Sequence, residues 1–506
     1  MGRVRKLARA VLRFWGRLEV ERSADMTGEG GVLVVNRLGG WEAFILQLVF
    51  PWPLRFLGGD LQGARVRRLL RWVGALGWGG EREAEEGLGA GEWVCVCGRG
   101  LGAGKPGLRR EGGGRSVPIV PVWVEWGGQA GEMEAFRAGW MPRGRGERRI
   151  GSVAFGEPFP GDSFRVDRVR ERLWELGERC YRRRPELGRH LGREALRGLM
   201  RDRFSVALVD GVDGVQMRRG WLLAAAIALA GEVRRFCPAR RVGVVLPSGR
   251  GAVLANLAVV LAGKVPVNLN FSAGRESVEA AKRIARLEHM ITARAFEARL
   301  EQFPWSREVM RLEDVVPRLK LRTLVWRVLV EVLSAHRVGA ILRLPKSGGE
   351  EESVVLFTSG SSGDPKGVVL SHRNLLGNVS QFSQMLGLEP NAPVLACLPI
   401  FHSFGSTVTL WFPILRGARM VTYPSPMDVP RNAQLIEEHR VALLCSTPTF
   451  LRGYLRKAEP AQLRSLRLVI TGAERLPREL AEAFEARFGK PVRQGYGLTE
   501  TSPVVS

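Results

Sequence analysis

The chain has no CxxC pair, no histidine cluster beside its cysteines and only nine lysines in 506 residues. Its six cysteines, Cys95, Cys97, Cys180, Cys237, Cys397 and Cys445, are scattered. Neither a zinc site nor a disulfide framework is indicated, and a reducing, cytosolic setting is the default. No apolar run reaches the roughly 18 to 20 residues that a membrane-spanning helix needs. The longest, 221–230 and 253–263, read as buried helices. With no stop-transfer stretch or small-residue cleavage site, secretion is not expected. The nucleotide pattern GxxxxGK[ST] is absent.

Acidic side chains are also in short supply, 51 against 76 basic ones, for a net charge of +25. The excess is not localised: residues 1–200 hold 35 basic and 24 acidic side chains, and residues 201–506 hold 41 and 27. Nearly all of it is arginine, which points to base-composition bias rather than a binding footprint. No helix-turn-helix, zinc finger or RNA-binding aromatic signature accompanies it, so nucleic acid is not expected as a partner. One concentration stands out: Arg3, Arg5, Lys6, Arg9, Arg13 and Arg17 precede the first acid, Glu19. On helical spacing Val4, Leu7, Ala8, Val11, Trp15 and Leu18 share one face. This reads either as an interfacial membrane helix or as a first helix packed on its own domain. The former implies a peripheral protein on the cytoplasmic face of the membrane.

With 45% hydrophobic residues the chain can bury more than one core, and its length suggests two to four domains. Its most informative segment is Thr358-Ser359-Gly360-Ser361-Ser362-Gly363-Asp364-Pro365-Lys366-Gly367. The apolar run 354–357 before it reads as a strand and 368–372 after it as a second strand, which puts the loop at a strand tip. A polyphosphate needs backbone N–H groups at close range, which glycines allow by lacking a Cβ. The hydroxyls of Thr358, Ser359, Ser361 and Ser362 add donors, Lys366 adds a mobile cation, and Pro365 stiffens the turn. A Ser/Gly-rich stretch is otherwise a flexible loop; this ordered string is far rarer.

The string resembles the phosphate-binding signature of the acyl-adenylate-forming superfamily, which includes acyl-CoA synthetases, luciferases and peptide-synthetase adenylation domains. Three more segments agree in order and spacing. Leu398 to Gly405 is similar to the family's histidine-containing segment near the carboxylate substrate. Thr471-Gly472-Ala473-Glu474 resembles its adenine-binding turn, and Gln494 to Glu500 resembles its second nucleotide motif. The resemblance implies that Tyr496 lies along the adenine, Thr499 touches phosphate, Glu500 binds Mg2+ and His402 borders the acyl tunnel. A lone histidine or tyrosine also serves as ordinary packing, and only position within the motif argues for more. The implied reaction joins a fatty acid to ATP, giving acyl-adenylate and pyrophosphate. The acyl group then passes to the thiol of acyl carrier protein or coenzyme A, with no covalent protein nucleophile.

The first 160 or so residues alternate strand-like and helix-like runs (31–36, 42–50, 54–57, 93–97, 117–126), an α/β pattern. They resemble the glycerophospholipid acyltransferase family, which places Asn-His before a short loop and an Asp. Here the segment is Asn36-Arg37-Leu38-Gly39-Gly40-Trp41-Glu42. Arg37 takes the place of the histidine, and a guanidinium stays protonated at physiological pH, so it cannot act as base. The family's Phe-Pro-Glu-Gly block corresponds to Cys97-Gly98-Arg99-Gly100, with Arg99 in place of the glutamate. A degenerate, catalytically inactive domain is expected, retaining at most lipid or membrane contact.

Together the two regions are similar to the bacterial bifunctional acyl-ACP synthetase/2-acylglycerophosphoethanolamine acyltransferases. The expected fold class is α/β: an acyltransferase-like domain (1–162), a charged helical connector (163–203), and the large domain of an adenylate-forming enzyme (204–506). The last is expected to be incomplete, because the family continues past the Thr499-Glu500 motif with a ribose-binding aspartate, a hinge and a small domain carrying a lysine. The implied physiology is phospholipid acyl recycling, with a lysophospholipid as acceptor. The alternative is a non-catalytic membrane-associated scaffold.

Overall fold

The computed structural model describes residues 17–22, 31–36, 40–50, 52–57, 75, 77–79, 86, 88, 90, 92–97, 117–126, 149–160, 165–358 and 364–506. The chain divides into two compact units, 1–184 and 185–506. The boundary falls inside the stretch expected as a connector. The helix Val166–Arg182 belongs to the first unit, and Pro185–Gly188 with the helix Leu191–Met200 belongs to the second. The reason is burial: Val169 and Leu173 join the first unit's core, whereas Leu191, Ala195, Leu196 and Leu199 are covered in the second.

In the first unit the strands are β1 (Arg17–Arg22), β2 (Gly31–Val35), β3 (Leu54–Leu57), β4 (Gly77–Gly79), β5 (Trp93–Cys97), β6 (Pro118–Trp126), β7 (Arg149–Phe155) and β8 (Phe159–Pro160). They form one sheet in the order β1-β7-β6-β2-β5-β3-β4, with β8 beside β6. Its central strands are parallel and covered on both faces, so they read as continuous apolar runs rather than alternating ones. Leu33, Val35 and Cys95 pack with Ile45 and Leu46 of the helix Gly40–Val49 and with Phe50 just after it. On the other face Val32, Val34 and Val94 join Val169 and Leu173. Cys95 is fully buried and Cys97 packs against the same cluster, as small core residues.

The expected first helix is corrected at its end. Arg17 and Leu18 open strand β1, in parallel register with β7, and residues 1–16 lie outside the described residues. The sequence 17–22 alternates apolar and charged residues at period two, which suits a strand once β7 offers an edge to pair with.

The second unit contains two sheets. One holds β9 (Val206–Asp210), β10 (Gln216–Arg218), β17 (Pro393–Ala396), β18 (Arg419–Thr422), β19 (Leu443–Ser446), β20 (Leu468–Thr471) and β21 (Val492–Gln494), in the order β10-β9-β18-β17-β19-β20-β21. The other holds β11 (Arg241–Val244), β12 (Val265–Asn268), β13 (His289–Thr292), β14 (Glu308–Arg311), β15 (Glu352–Thr358) and β16 (Lys366–Ser371), in the order β14-β13-β11-β12-β15-β16. The helix Arg250–Leu261 packs on β11 and β12 and also meets β9. It is apolar all round, as a helix enclosed between layers requires. Its one buried amide, Asn256, exchanges hydrogen bonds with Asn268 at 3.0 and 2.8 Å, so no polar group is stranded there. No helix among the described residues is long and apolar enough to cross a membrane.

A buried histidine pair ties the start of this unit to the strand pair β15–β16. His190 caps the helix Leu191–Met200, its Nδ1 accepting from Gly192 N at 3.1 Å, and His372 Nδ1 accepts from Leu191 N at 3.0 Å. The rings lie 4.1 Å apart. Burial, then the neighbouring Arg193 and Arg240, lowers His190 to about 4. Burial, then His190 and Arg240, lowers His372 to about 3. Both are neutral acceptors, and protonation removes the acceptor. The unfolded chain takes up these protons near pH 6.5 and the folded chain does not, so stability falls as pH drops from about 6.5 toward 4, by roughly 1.4 kcal/mol per pH unit for each fully coupled group. His190→Asn, which keeps a capping acceptor without the titration, is expected to flatten this acid limb. Urea midpoints at pH 7, 5.5 and 4.5 for both proteins measure it, and parallel curves would refute the assignment.

Candidate functional site

Parallel register sets the site. Ala396 pairs with Thr422, Ser446 with Thr471 and Thr471 with Gln494, so strands β17 to β21 all end along one edge. From β17 the chain runs outward to β18 and then crosses back to β19 on the other side, which makes the β17/β19 junction a topological switch point. Ligand crevices in open α/β sheets open outside the carboxyl ends of strands at such points. The segment with His402 follows β17, the 472–474 turn follows β20, and the 495–500 motif follows β21.

These segments touch. Ser403 Oγ lies 3.2 Å from Thr499 Oγ1, and the Phe404 ring would meet a Cβ on Gly472 at 3.5 Å. Gly495 N donates to Thr471 O at 2.7 Å and Gly472 N to Ser446 O at 3.2 Å. Ala473 holds a φ of 67°, a left-handed conformation that costs a non-glycine residue about 1 kcal/mol or more and marks a turn imposed by its surroundings. Glu474 is exposed and accepts from Thr449 Oγ1 at 2.8 Å. Tyr496 is 57% exposed and Glu500 is exposed, both free to meet a ligand.

The other sheet contributes its own strand tip. β15 and β16 are antiparallel neighbours with Thr358 paired to Lys366, so the two flanks of the polar segment lie side by side. Ser359, Gly360, Ser361, Ser362 and Gly363 lie outside the described residues. Strand β16, which Lys366 opens, packs against the turn Thr499–Thr501. Among the described residues neither Lys366 nor Glu500 has an ion-pair partner. Two uncompensated charges of opposite sign, on elements in contact, suit a polyphosphate and the divalent cation that accompanies it.

The segment before His402 touches loops of the other sheet, and His402 itself is exposed. Ser248 Oγ donates to Leu398 O at 2.6 Å, and Phe401 meets Phe271 at 5.0 Å, itself 4.8 Å from Phe296. The His402 ring lies tilted beside Phe401, 4.6 Å between centroids, and partial desolvation lowers its pKa from the ordinary value, leaving the imidazole neutral at pH 7. The chain then winds as a π-helical turn, Gly405–Trp411, a rare form that is frequent at functional sites. Burial pushes the Cys397 thiol up to about 12 and raises Cys445 as well, so neither supplies a thiolate nucleophile.

A family model for AMP-binding enzymes matches residues 223–506, more than half of the chain. The chain belongs to the AMP-binding enzyme family. Over 169 residues it is 34% identical to a long-chain-fatty-acid–CoA ligase of Bacillus subtilis, covering 32% of this chain and 30% of that one. Over 166 residues it is 32% identical to 4-coumarate–CoA ligase 3 of Arabidopsis thaliana, covering 31% and 29%. Alignments with these curated relatives thus span about a third of their length. Among solved structures, the inhibitor-bound N-terminal domain of FACL13 from Mycobacterium tuberculosis superposes with a TM-score of 0.52 at 20% identity, over 62% of this chain and 77% of that one. ATP-bound MatB from Rhodopseudomonas palustris gives 0.51 at 21%, over 62% and 61%. At such identities the likeness is one of fold.

Of the sequence-predicted residues, the fold gathers Thr358, Lys366, His402, Gly472, Ala473, Glu474, Tyr496, Thr499 and Glu500 onto neighbouring loops of the second unit. In the first unit Arg37 and Arg99 lie outside the described residues, as does the side chain of Glu42, which falls on the helix Gly40–Val49. Val35 pairs with Cys97, so the chain leaves for both altered segments from neighbouring strand ends. Asn36 is spent on structure: its side chain donates to Val124 O at 3.1 Å and accepts from Val124 N at 2.8 Å.

Three supports escaped the sequence. Ser403 and Thr449 bind motif residues, and Asn378 clamps Val504 through bonds of 2.7 and 3.2 Å. The run Ser446-Thr447-Pro448-Thr449 after an apolar strand was the available signal for Thr449. Asn378, mid-helix, left none. Glycine at 497 is a steric requirement: a Cβ would sit 1.9 Å from Pro503 O. Gly497→Ala is expected to cost roughly 1–3 kcal/mol and to speed amide exchange across 495–506. Gly231→Ala, where nothing lies within 4 Å in a helix interior, is expected to be neutral or stabilising. Hydrogen exchange and thermal midpoints of the two variants check the contrast.

Proposed function

We propose that this protein activates a fatty acid with ATP as an acyl-adenylate and passes the acyl group to a thiol. The supporting observation is the meeting of three elements: the Lys366 strand, the His402 segment and the Thr499–Glu500 turn, at the carboxyl ends of two sheets. A carboxylate oxygen of the substrate attacks the α-phosphorus of ATP, the bond to the bridging oxygen breaks, and pyrophosphate leaves with its electron pair. The thiol then attacks the acyl carbonyl, and AMP departs. Coenzyme A is the thiol named for the relatives; acyl carrier protein is the thiol of the bifunctional layout.

Lys366 and Thr358 flank the polar segment and would hold the phosphates, with Thr499 on the same group. Glu500 would hold Mg2+, which offsets charge on the leaving pyrophosphate. Tyr496 offers a ring face to the adenine, and Gly472 to Glu474 the backbone turn beside it. His402, neutral and beside Phe401, would meet the acyl carboxylate end. The reaction requires no covalent protein nucleophile, so the protein would work by positioning and charge neutralisation.

The replacement of the expected base by Arg37, and of the expected glutamate by Arg99, supports a second reading for the first unit alone: a domain that contacts lipid without transferring acyl groups. A lysophospholipid would then be a ligand rather than an acceptor.

Carboxylate-dependent exchange of pyrophosphate into ATP tests the proposal, run with palmitate and with 4-coumarate. Exchange with the fatty acid is expected, falling about 100-fold in Lys366→Ala and in Glu500→Ala. Absence of exchange with either acid in a folded chain would move the weight to a non-catalytic scaffold, and exchange with 4-coumarate alone would replace the substrate class.

A further inference from the structure

The helix Lys320–Val332 carries two opposed faces. Inward, Val330 is buried, and Thr323 and Trp326 are half-buried where the helix packs along Arg219–Phe236. Arg327 joins this side, paired with Glu331 at 2.5 Å and lying 5.8 Å over the rings of both Phe204 and Trp221. Outward stand Leu321, Leu324, Val325, Val328 and Val332, exposed by 74, 51, 52, 59 and 70%. At 100° per residue these five fall within an arc of about 100°, so they form one aliphatic stripe over three turns without a polar atom in it. Single exposed apolar residues are ordinary, but a contiguous stripe marks an interaction surface.

Charge narrows the partner. Between positions 318 and 346 there are seven cations, Arg318, Lys320, Arg322, Arg327, Arg337, Arg343 and Lys346, against one carboxylate, Glu331. Arg327 and Arg322 are engaged with Glu331 and Glu232. The other five are exposed and flank the stripe at both ends, with Ile341, also exposed, among them. An aliphatic helix face between cationic ends is the pattern that binds the boundary between headgroups and acyl chains.

We propose that this face docks the second unit on an anionic lipid bilayer, the aliphatic stripe entering the headgroup boundary and Arg318, Lys320, Arg337, Arg343 and Lys346 meeting lipid phosphates. A bilayer asks for no directional hydrogen bonds, and the stripe offers none. A second copy of the chain suits it poorly, because a two-fold contact would set the cationic ends of the stripe near one another. The inference is independent of the nucleotide reading and of residues 1–16.

Co-sedimentation of the full chain with vesicles of phosphatidylcholine, with and without phosphatidylglycerol, tests it. Wild type is expected to bind the anionic vesicles and to be released by salt. Leu321→Glu with Val328→Glu is expected to weaken binding about tenfold or more, at an unchanged thermal midpoint. Arg318→Glu with Lys320→Glu is expected to weaken it and to reduce the salt dependence. The uncharged pair Leu321→Gln with Val328→Gln gives the same reading if the glutamates disturb the helix. Unaltered binding in the folded stripe variants would assign membrane contact to another surface and overturn the proposal, as would no binding by wild type. A wild-type dimer that these substitutions dissociate would instead make the stripe an interface between copies.

Discussion

Parallel strand register is the constraint on which the site depends. Because Ala396, Ser446, Thr471 and Gln494 end their strands along one edge, the segments that follow must share the same strip of space. Hydrogen bonds between neighbouring backbones hold this alignment, and a slip of one residue would send every side chain of the strand to the opposite face of the sheet. The loops are therefore positioned by the most cooperative part of the fold rather than by their own contacts. That arrangement lets them stay polar, exposed and open to a ligand.

The second support is the accommodation of close backbone approaches and buried polar groups around that edge. Gly497 passes against Pro503 O where no side chain fits, and Gly405 passes against Pro399 O in the same way. Asn378 clamps the segment after the Thr499–Glu500 turn, and the Asn256–Asn268 pair satisfies the one amide in the helix between the sheets. The histidines at 190 and 372 work only as neutral acceptors, because burial opposes their protonation. Each device costs conformational or solvation free energy that the surrounding apolar core offsets.

Much of the site was legible because its chemistry is written in short ordered strings. Glycines, hydroxyls and Lys366 within ten residues are the grounds on which a phosphate loop is proposed, and the strands on both sides of it are apolar runs ended by turn residues. The buried helices Arg219–Phe236 and Arg250–Leu261 were equally plain, since helices enclosed by other layers are apolar all round. Other features were not legible. Leu18 fits a helical stripe and a strand equally well until β7 is known to lie beside it. The expected connector has the charge of a linker, yet Val169 and Leu173 on one side and Leu191 to Leu199 on the other are claimed by two different cores. Charge counts exposure along the sequence, whereas burial depends on what arrives in space.

By itself the sequence determined the α/β class, the membership-bearing motif strings and their order, since these depend on local periodicity and on functional groups a few residues apart. Tertiary structure alone decided that Ser403 meets Thr499 across 96 positions, that Lys366 opens a strand lying against the turn that carries Glu500, and that the outer face of Lys320–Val332 stays uncovered. Contacts of that kind are products of strand order and sheet register. They are settled by which backbones pair, a choice that no single stretch of the chain contains.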